Sequence, residues 1–169
     1  MSLKFFSEYL LLEKKYSNHT VLAYTKDIEN FQTFLNQHNY PEDLIQVGYS
    51  EIRQWIVTLV DAGISNRTIN RKVSSLNTYY KYLQKTEDIN VNPLKQHKAL
   101  KVGKKAQLPF SEQELKTVLE NSIVVDDFES ARNHFIIELF YATGIRRIEL
   151  VNLKLTDVDK SNNQIKVLG

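Results

Sequence analysis

The sequence predicts a mainly α-helical chain in two parts: four helices over residues 1–88, then a shorter helical stretch over 108–169 that ends in a β-strand. Three observations predict it. Only 5 glycines and 3 prolines punctuate the 169 residues, so few positions force the chain out of a helix. Apolar residues return at spacings of three and four until about residue 156, the period of helices with one buried face. Residues 89–107 lose that period, because Asn90, Asn92, Pro93 and Gly103 interrupt it and five lysines crowd in. That segment reads as an extended, wet, basic linker.

A first helix is predicted over 3–15, carrying Phe5, Phe6, Tyr9, Leu10 and Leu12. Ser17 supplies the hydroxyl that caps a second helix, in which Val21, Tyr24, Ile28, Phe31 and Leu35 form a buried stripe. Tyr40-Pro41-Glu42-Asp43 breaks it. Ser50 caps a third helix with Ile52, Ile56, Leu59 and Val60 inward, and Gly63 ends it in the left-handed conformation glycine adopts freely. The fourth helix covers 66–86 after Ser65 and carries two seams. Ile69, Val73, Leu76, Tyr80 and Leu83 feed a core, while Arg67, Arg71, Ser74, Thr78, Lys81 and Lys85 form a polar line displaced around the cylinder.

Beyond the linker, Ser111-Glu112-Gln113-Glu114 is a capping box that opens a helix through about Asn121. A further helix over about 127–142 turns Phe135, Ile136, Leu139 and Phe140 inward and leads to Gly144. A short helix follows at Arg146. Asp157-Val158-Asp159 and Asn162-Asn163 read as turns, and Gln164–Leu168 as a strand. A lone strand cannot satisfy its own hydrogen bonds, so its partner is expected outside this sequence.

Charge is segregated. Residues 66–105 hold ten cationic side chains against Glu87 and Asp88, so this block carries +8 of a chain whose net charge is +2, leaving −6 elsewhere. Such a block presents a local field to a polyanion. Lys and Arg on the fourth helix suit phosphates, and its shorter polar residues can approach base edges. A solvated amphipathic face is the competing reading of the same helix, although such a face usually mixes both signs. The block lacks the apolar face that would insert into lipid. No uninterrupted apolar run of about eighteen residues is present, and the N-terminus gains charge too early for a signal peptide. Zero cysteines remove disulfides and thiolate metal sites. The histidines, at 19, 38, 97 and 134, lack metal-ligand spacing. Cytoplasmic residence, no metal and no cofactor are the expectations.

The run Tyr141-Ala142-Thr143-Gly144-Ile145-Arg146-Arg147-Ile148-Glu149-Leu150 carries the most chemistry. A guanidinium just past a glycine corner can grip two oxygens of one phosphate with its planar fork, and the helix start adds unpaired N–H groups. Glu149, at i+3 from Arg146, can hold that guanidinium in place. Arg147 has Leu150 at its own i+3 and so lacks the same support.

This run resembles the first active-site arginine motif of the tyrosine recombinases, the phage-integrase and Xer-type family. The remainder resembles the front part of the same family. Ser17-Asn18-His19-Thr20 with Tyr24 and Asp27 is similar to the start of its second helix. Ile64 through Arg71, Tyr79 through Leu83, and Asn92-Pro93-Leu94 are similar to its fourth helix and exit. Leu108-Pro109 before a capped helix, and Arg132-Asn133 ahead of Gly144, complete the order.

The resemblance implies a four-helix SAM-like core-binding domain at 1–88, a basic linker at 89–107 and the opening portion of a catalytic domain at 108–169. It implies duplex DNA clamped between two domains and a tyrosine attack that leaves a 3′-phosphotyrosyl linkage, without cofactor or metal. Arg146 would neutralise the non-bridging phosphate oxygens, with Glu149 supporting it. Together with the basic face, it puts Thr20, Tyr24, Arg67, Thr68, Arg71, Lys72, Ser74, Ser75, Thr78, Lys81, Lys104, Lys105 and Arg147 at the DNA. The full-length parent would work as a homo- or hetero-tetramer on paired sites, in a bacterial-type cytoplasm at the nucleoid. The family's lysine hairpin, His-x-x-Arg motif and nucleophilic tyrosine have no matching positions, so this stretch alone is expected to bind DNA and cut nothing. Two other readings stay open: a free-standing DNA-binding regulator, and a helical module whose basic seam meets an acidic protein.

Overall fold

The computed structural model describes residues 3–103, 106, 108–121 and 127–167. The chain divides into two compact units, Met1–Lys104 and Lys105–Gly169. In the first, helices α1 (Leu3–Leu12), α2 (Asn18–Gln37), α3 (Tyr49–Asp61) and α4 (Asn66–Lys85) enclose one core. Both long helices open with the same word, Ser-Asn-x-Thr. Ser17 Oγ accepts the Thr20 N–H at 3.3 Å, and Ser65 Oγ accepts the Thr68 N–H at 3.3 Å. Each cap satisfies one of the N–H groups a helix start leaves without a partner.

The core draws Phe6 and Leu10 from α1, Ile28, Phe31 and Leu35 from α2, Ile52 and Trp55 from α3, and Ile69, Leu76, Tyr80 and Leu83 from α4. Fully burying one such side chain contributes about 1.5–3 kcal/mol. An aromatic cluster fastens α1 to the end of α4, with Phe6 edge-on to Tyr79 at 5.1 Å and Tyr9 against Tyr82 at 4.9 Å. The loop between α2 and α3 is pinned by Leu44 and Val47, and by Tyr80 Oη donating to the Leu44 carbonyl at 3.2 Å.

Several expectations change here. Helix α1 stops at Leu12, and Lys15 takes a positive φ of 55° as the chain turns. Helix α3 starts at Tyr49, not after a Ser50 cap: the Glu51 carboxylate reaches back to the Gly48 N–H at 2.9 Å and Ser50 merely donates to it. Val60 faces solvent, because Trp55 rather than Val60 completes the inward stripe with Ile52 and Ile56.

The expected linker does not begin at residue 89. Residues 92–101 lie along α4, running antiparallel to it, because asparagines hold them there. Asn92 Nδ2 donates to Asn77 Oδ1 at 2.8 Å, and Asn92 Oδ1 accepts the Leu94 N–H at 2.8 Å. Asn70 brackets Leu100, donating to its carbonyl and accepting from its N–H, both at 2.9 Å. Asn66 Nδ2 donates to the Lys101 carbonyl at 2.8 Å. With Leu94 buried, this strap is part of the first unit.

The second unit contains α5 (Glu112–Asn121), α6 (Phe128–Thr143), α7 (Arg147–Asn152), a 3-10 turn (Leu155–Asp157) and the strands β1 (Val158–Asp159) and β2 (Gln164–Ile165). The Ser111 box forms as expected: Glu114 Oε2 accepts the Ser111 N–H at 2.8 Å, and Ser111 Oγ accepts the Glu114 N–H at 3.2 Å. Asp127 caps α6 by accepting the Ser130 N–H at 2.7 Å. Phe135, expected inward, is exposed, and among the described residues of this unit Leu139 is the buried hydrophobic. The strand has a partner after all. β1 and β2 pair antiparallel with Val158 opposite Ile165, so residues expected as a turn form the first arm of a hairpin. Asp159 folds the bend by accepting the Ser161 and Asn162 N–H groups. No helix of the described residues is long and apolar enough to cross a membrane.

Leu76→Ala, at a position with 0% exposure, should lower the unfolding free energy of the first unit by about 2–5 kcal/mol in a urea titration. Asn70→Ala should release the strap: amide exchange at Leu100 should accelerate roughly tenfold while exchange in the middle of α4 stays unchanged.

Candidate nucleic-acid interface

The polar line on α4 is real and one-sided. Arg67, Arg71, Ser74 and Lys81 are exposed and Thr78 is half-buried. Among the described residues Arg67 and Lys81 make no ion pair, so their charges face solvent. Thr78 donates its hydroxyl to the Ser74 carbonyl at 3.0 Å. Lys85, at the far end of the same line, is held by Glu13 and lies over the Tyr9 ring at 5.0 Å. Thr20 and Thr68 engage the two helix-capping serines at 2.9 Å. Tyr24 is half-buried, edge-on to Tyr16 at 5.7 Å. The strap adds exposed Lys95, Lys98 and Lys101 beside α4. Lys104 and Lys105 lie outside the described residues.

Three of the expected DNA-facing residues converge instead on one buried carboxylate. Asp27 on α2 is 2% exposed. Its Oδ2 accepts from Arg71 Nη1 at 2.5 Å and from Ser75 Oγ at 2.8 Å; its Oδ1 accepts from Arg71 Nη2 at 3.1 Å and from Lys72 Nζ at 3.2 Å. Ser75 is wholly buried, so its expected place at the DNA is wrong: its hydroxyl is consumed by Asp27. Lys72, with 15% of its side chain exposed, is likewise directed inward. Arg71 differs, because its side chain remains 49% exposed. A burial this deep demands that the carboxylate be fully paired, and it is. The sequence carried a signal for it: an aspartate sits on the apolar stripe between Tyr24 and Phe31, where only a paired acid fits.

The second unit builds its arginine turn from local bonds. Gly144 ends α6 with φ 65°, a left-handed conformation, and its N–H donates to the Phe140 carbonyl at 2.9 Å. Thr143 Oγ1 accepts the Ile145 N–H at 3.2 Å, which sharpens the corner. Arg146 is then the N-cap of α7. Glu149 Oε2 accepts the Arg146 N–H at 2.8 Å while Glu149 Oε1 accepts from Arg146 Nη1 at 2.6 Å. The carboxylate therefore holds both ends of the same residue. Arg146's side chain is 77% exposed and Glu149's 10%. The Arg146 N–H is spent on Glu149, so an anion here meets the guanidinium rather than that amide. The same two bonds, the backbone N–H first and the guanidinium second, hold the Glu149 carboxyl below its usual range. Arg147 is exposed. Elsewhere, burial pushes the Tyr79 phenol up to about 12 and Tyr80 higher still. Among the described residues no three His, Asp or Glu side chains gather as a metal site would require.

The first unit is a four-helix domain of the integrase class. Residues 3–87 match the phage-integrase N-terminal SAM-like domain. The chain belongs to the phage-integrase family of tyrosine recombinases. It is 38% identical over 99% of its length to the tyrosine recombinase XerC of Anoxybacillus flavithermus, and 34% identical over 97% to XerC of Pediococcus pentosaceus. It covers 55% and 54% of those proteins, so the chain spans about half the length of the curated relatives it matches. In fold it resembles the Tn1549 transposon integrase solved with circular intermediate DNA, with a TM-score of 0.71, 20% identity, and 99% of this chain and 54% of that one covered. The integrase of mycobacterium phage Brujita gives a TM-score of 0.54 at 17% identity, covering 99% of this chain and 53% of that one.

A carboxyl whose folded-state value is depressed stabilises its contacts above the unfolded value, and the stabilisation disappears as pH falls through the folded one. In an NMR titration the Glu149 carboxyl should therefore show a midpoint below 4.5. Arg146→Ala should return it only part of the way, since the backbone N–H at position 146 remains.

Proposed function

We propose that this chain is the DNA-holding half of a site-specific tyrosine recombinase. The cationic face of α4 lies against the duplex. Arg67, Arg71 and Lys81 neutralise phosphates, and Ser74 and Thr78 stand where short polar groups can approach base edges. Thr20, Tyr24 and Thr68 add contacts at the starts of the two long helices, and Lys104, Lys105 and Arg147 touch the backbone. The domains remain those proposed from the sequence, with the first extended through the strap to about residue 101.

The observation that carries the chemistry is the double hold of Glu149 on Arg146. A guanidinium fixed before substrate arrives pays no reorganisation when charge builds on the phosphate. When a tyrosine oxygen attacks the scissile phosphorus, the 5′-oxygen of the DNA leaves and the phosphate becomes a 3′-phosphotyrosyl diester. Arg146 donates to the non-bridging oxygens, whose charge grows in between. A 5′-hydroxyl of a partner strand reverses the step and releases the tyrosine. We place the nucleophile on none of the nine tyrosines of this chain. The full-length protein is proposed to act as a homo- or hetero-tetramer on paired DNA sites, in the bacterial cytoplasm.

Fluorescence anisotropy with a labelled duplex tests the binding half. Affinity should fall steeply with salt, at a slope of about −0.9 per neutralised phosphate, and Arg67→Ala or Lys81→Ala should each reduce that slope by about one. Salt-insensitive binding, or none, defeats the proposal. In the full-length protein Arg146→Ala should retain binding yet slow strand cleavage at least about a hundredfold on a nicked substrate.

A further inference from the structure

Asp27 is 2% exposed, yet it holds a half-exposed arginine by both terminal nitrogens. We propose that Asp27 is a positioning residue for nucleic-acid binding: it locks the Arg71 guanidinium in the orientation that engages a backbone phosphate. This rests on the reading of the α4 face as a DNA-binding surface.

The geometry supports it in three ways. First, the carboxylate takes Arg71 end-on, through Nη1 and Nη2. A guanidinium has five N–H donors in a rigid plane, so end-on capture leaves the Nε–H and the outer Nη hydrogens for a second pair of oxygens. Second, the carboxylate is itself immobilised. Ser75 and Lys72, both on α4, bind it together with Arg71, so its orientation is set by the pairing of α2 with α4. Third, the cluster is cation-rich. One carboxylate faces Arg71 and Lys72 and leaves a surplus of one positive charge, and the cation with the greater exposure is Arg71 rather than Lys72. A flexible arginine loses rotamer freedom when it meets a phosphate; one already held loses less.

This role and a purely electrostatic one differ in sign. Asp27→Asn removes a negative charge, so long-range electrostatics alone would tighten binding to DNA. If Asp27 positions Arg71, the same substitution weakens it, by about tenfold at moderate salt. The loss should vanish in an Arg71→Ala background, where Asp27→Asn should be neutral or slightly favourable.

The experiment is this two-by-two cycle in the whole chain, read by duplex anisotropy, with thermal melts confirming that each variant is folded. Nitrogen-15 relaxation of arginine Nε groups in the unmodified protein supplies a measurement needing no variant. Arg71 should be rigid where Arg67, exposed and outside any ion pair among the described residues, is mobile. Tighter or unchanged binding by folded Asp27→Asn overturns the proposal, as does an equal loss in the Arg71→Ala background. If Asp27→Asn fails to fold, Arg71 Nε as mobile as that of Arg67 overturns it. Failure of the unmodified chain to bind any duplex would instead overturn the DNA-binding reading beneath it.

Discussion

The pairing of α2 with α4 across Asp27 is the constraint on which the first unit depends. A carboxylate at 2% exposure cannot be left without partners, and its partners all sit on α4. That fixes the register of the two longest helices to the position where Ser75, Arg71 and Lys72 can all reach it. The hydrophobic contacts around it are individually larger in area but tolerant of sliding. The carboxylate is not. Direction is supplied by the polar contact and most of the free energy by the apolar ones.

With that register set, α4 divides its circumference among three tasks. Its apolar seam enters the core, its asparagines receive the strap, and the remaining arc carries Arg67, Arg71, Ser74 and Lys81 to solvent. The strap's course follows from amide chemistry. Asn70 offers a donor and an acceptor at the spacing of a peptide group, so it pairs with Leu100 much as a neighbouring strand would. Three lysines that would otherwise belong to a free linker are thereby held against the cationic helix. This concentrates charge where the domain can direct it, without a long flexible tether.

The second unit works on a different principle. Among its described residues only Leu139 is buried, while Phe110, Phe128, Val151 and Leu155 are exposed. What orders it is a series of carboxylate-to-backbone bonds within three residues of each other: Glu114 to Ser111, Asp127 to Ser130, Glu149 to Arg146, Asp157 to Lys154 and Asp159 to Asn162. Such bonds are complete as soon as the local chain folds. The arginine turn is one of them, so its geometry is local: Glu149 can fix Arg146 from within one helical turn.

That distinction separates what the amino-acid order determined by itself from what tertiary structure decided. The number and order of the helices, the Ser17, Ser65, Ser111 and Gly63 signals, the Gly144 corner and the Arg146–Glu149 hold were legible, because each depends on residues three or four apart and on periods a helix imposes. The misreadings at the DNA face, the strap and the hairpin share one cause. Ser75 and Lys72 are expected at the DNA, residues 89–101 in a linker and Val158–Asp159 in a turn. Their true places depend on partners far away in sequence or across a hairpin: Asp27 lies 48 residues from Ser75 and Asn70 lies 30 from Leu100. A hydroxyl, an amide or a lysine has the same local signature whether it meets water, DNA or a buried carboxylate. Only the packing of α2 on α4, by removing water from Asp27, chose among them.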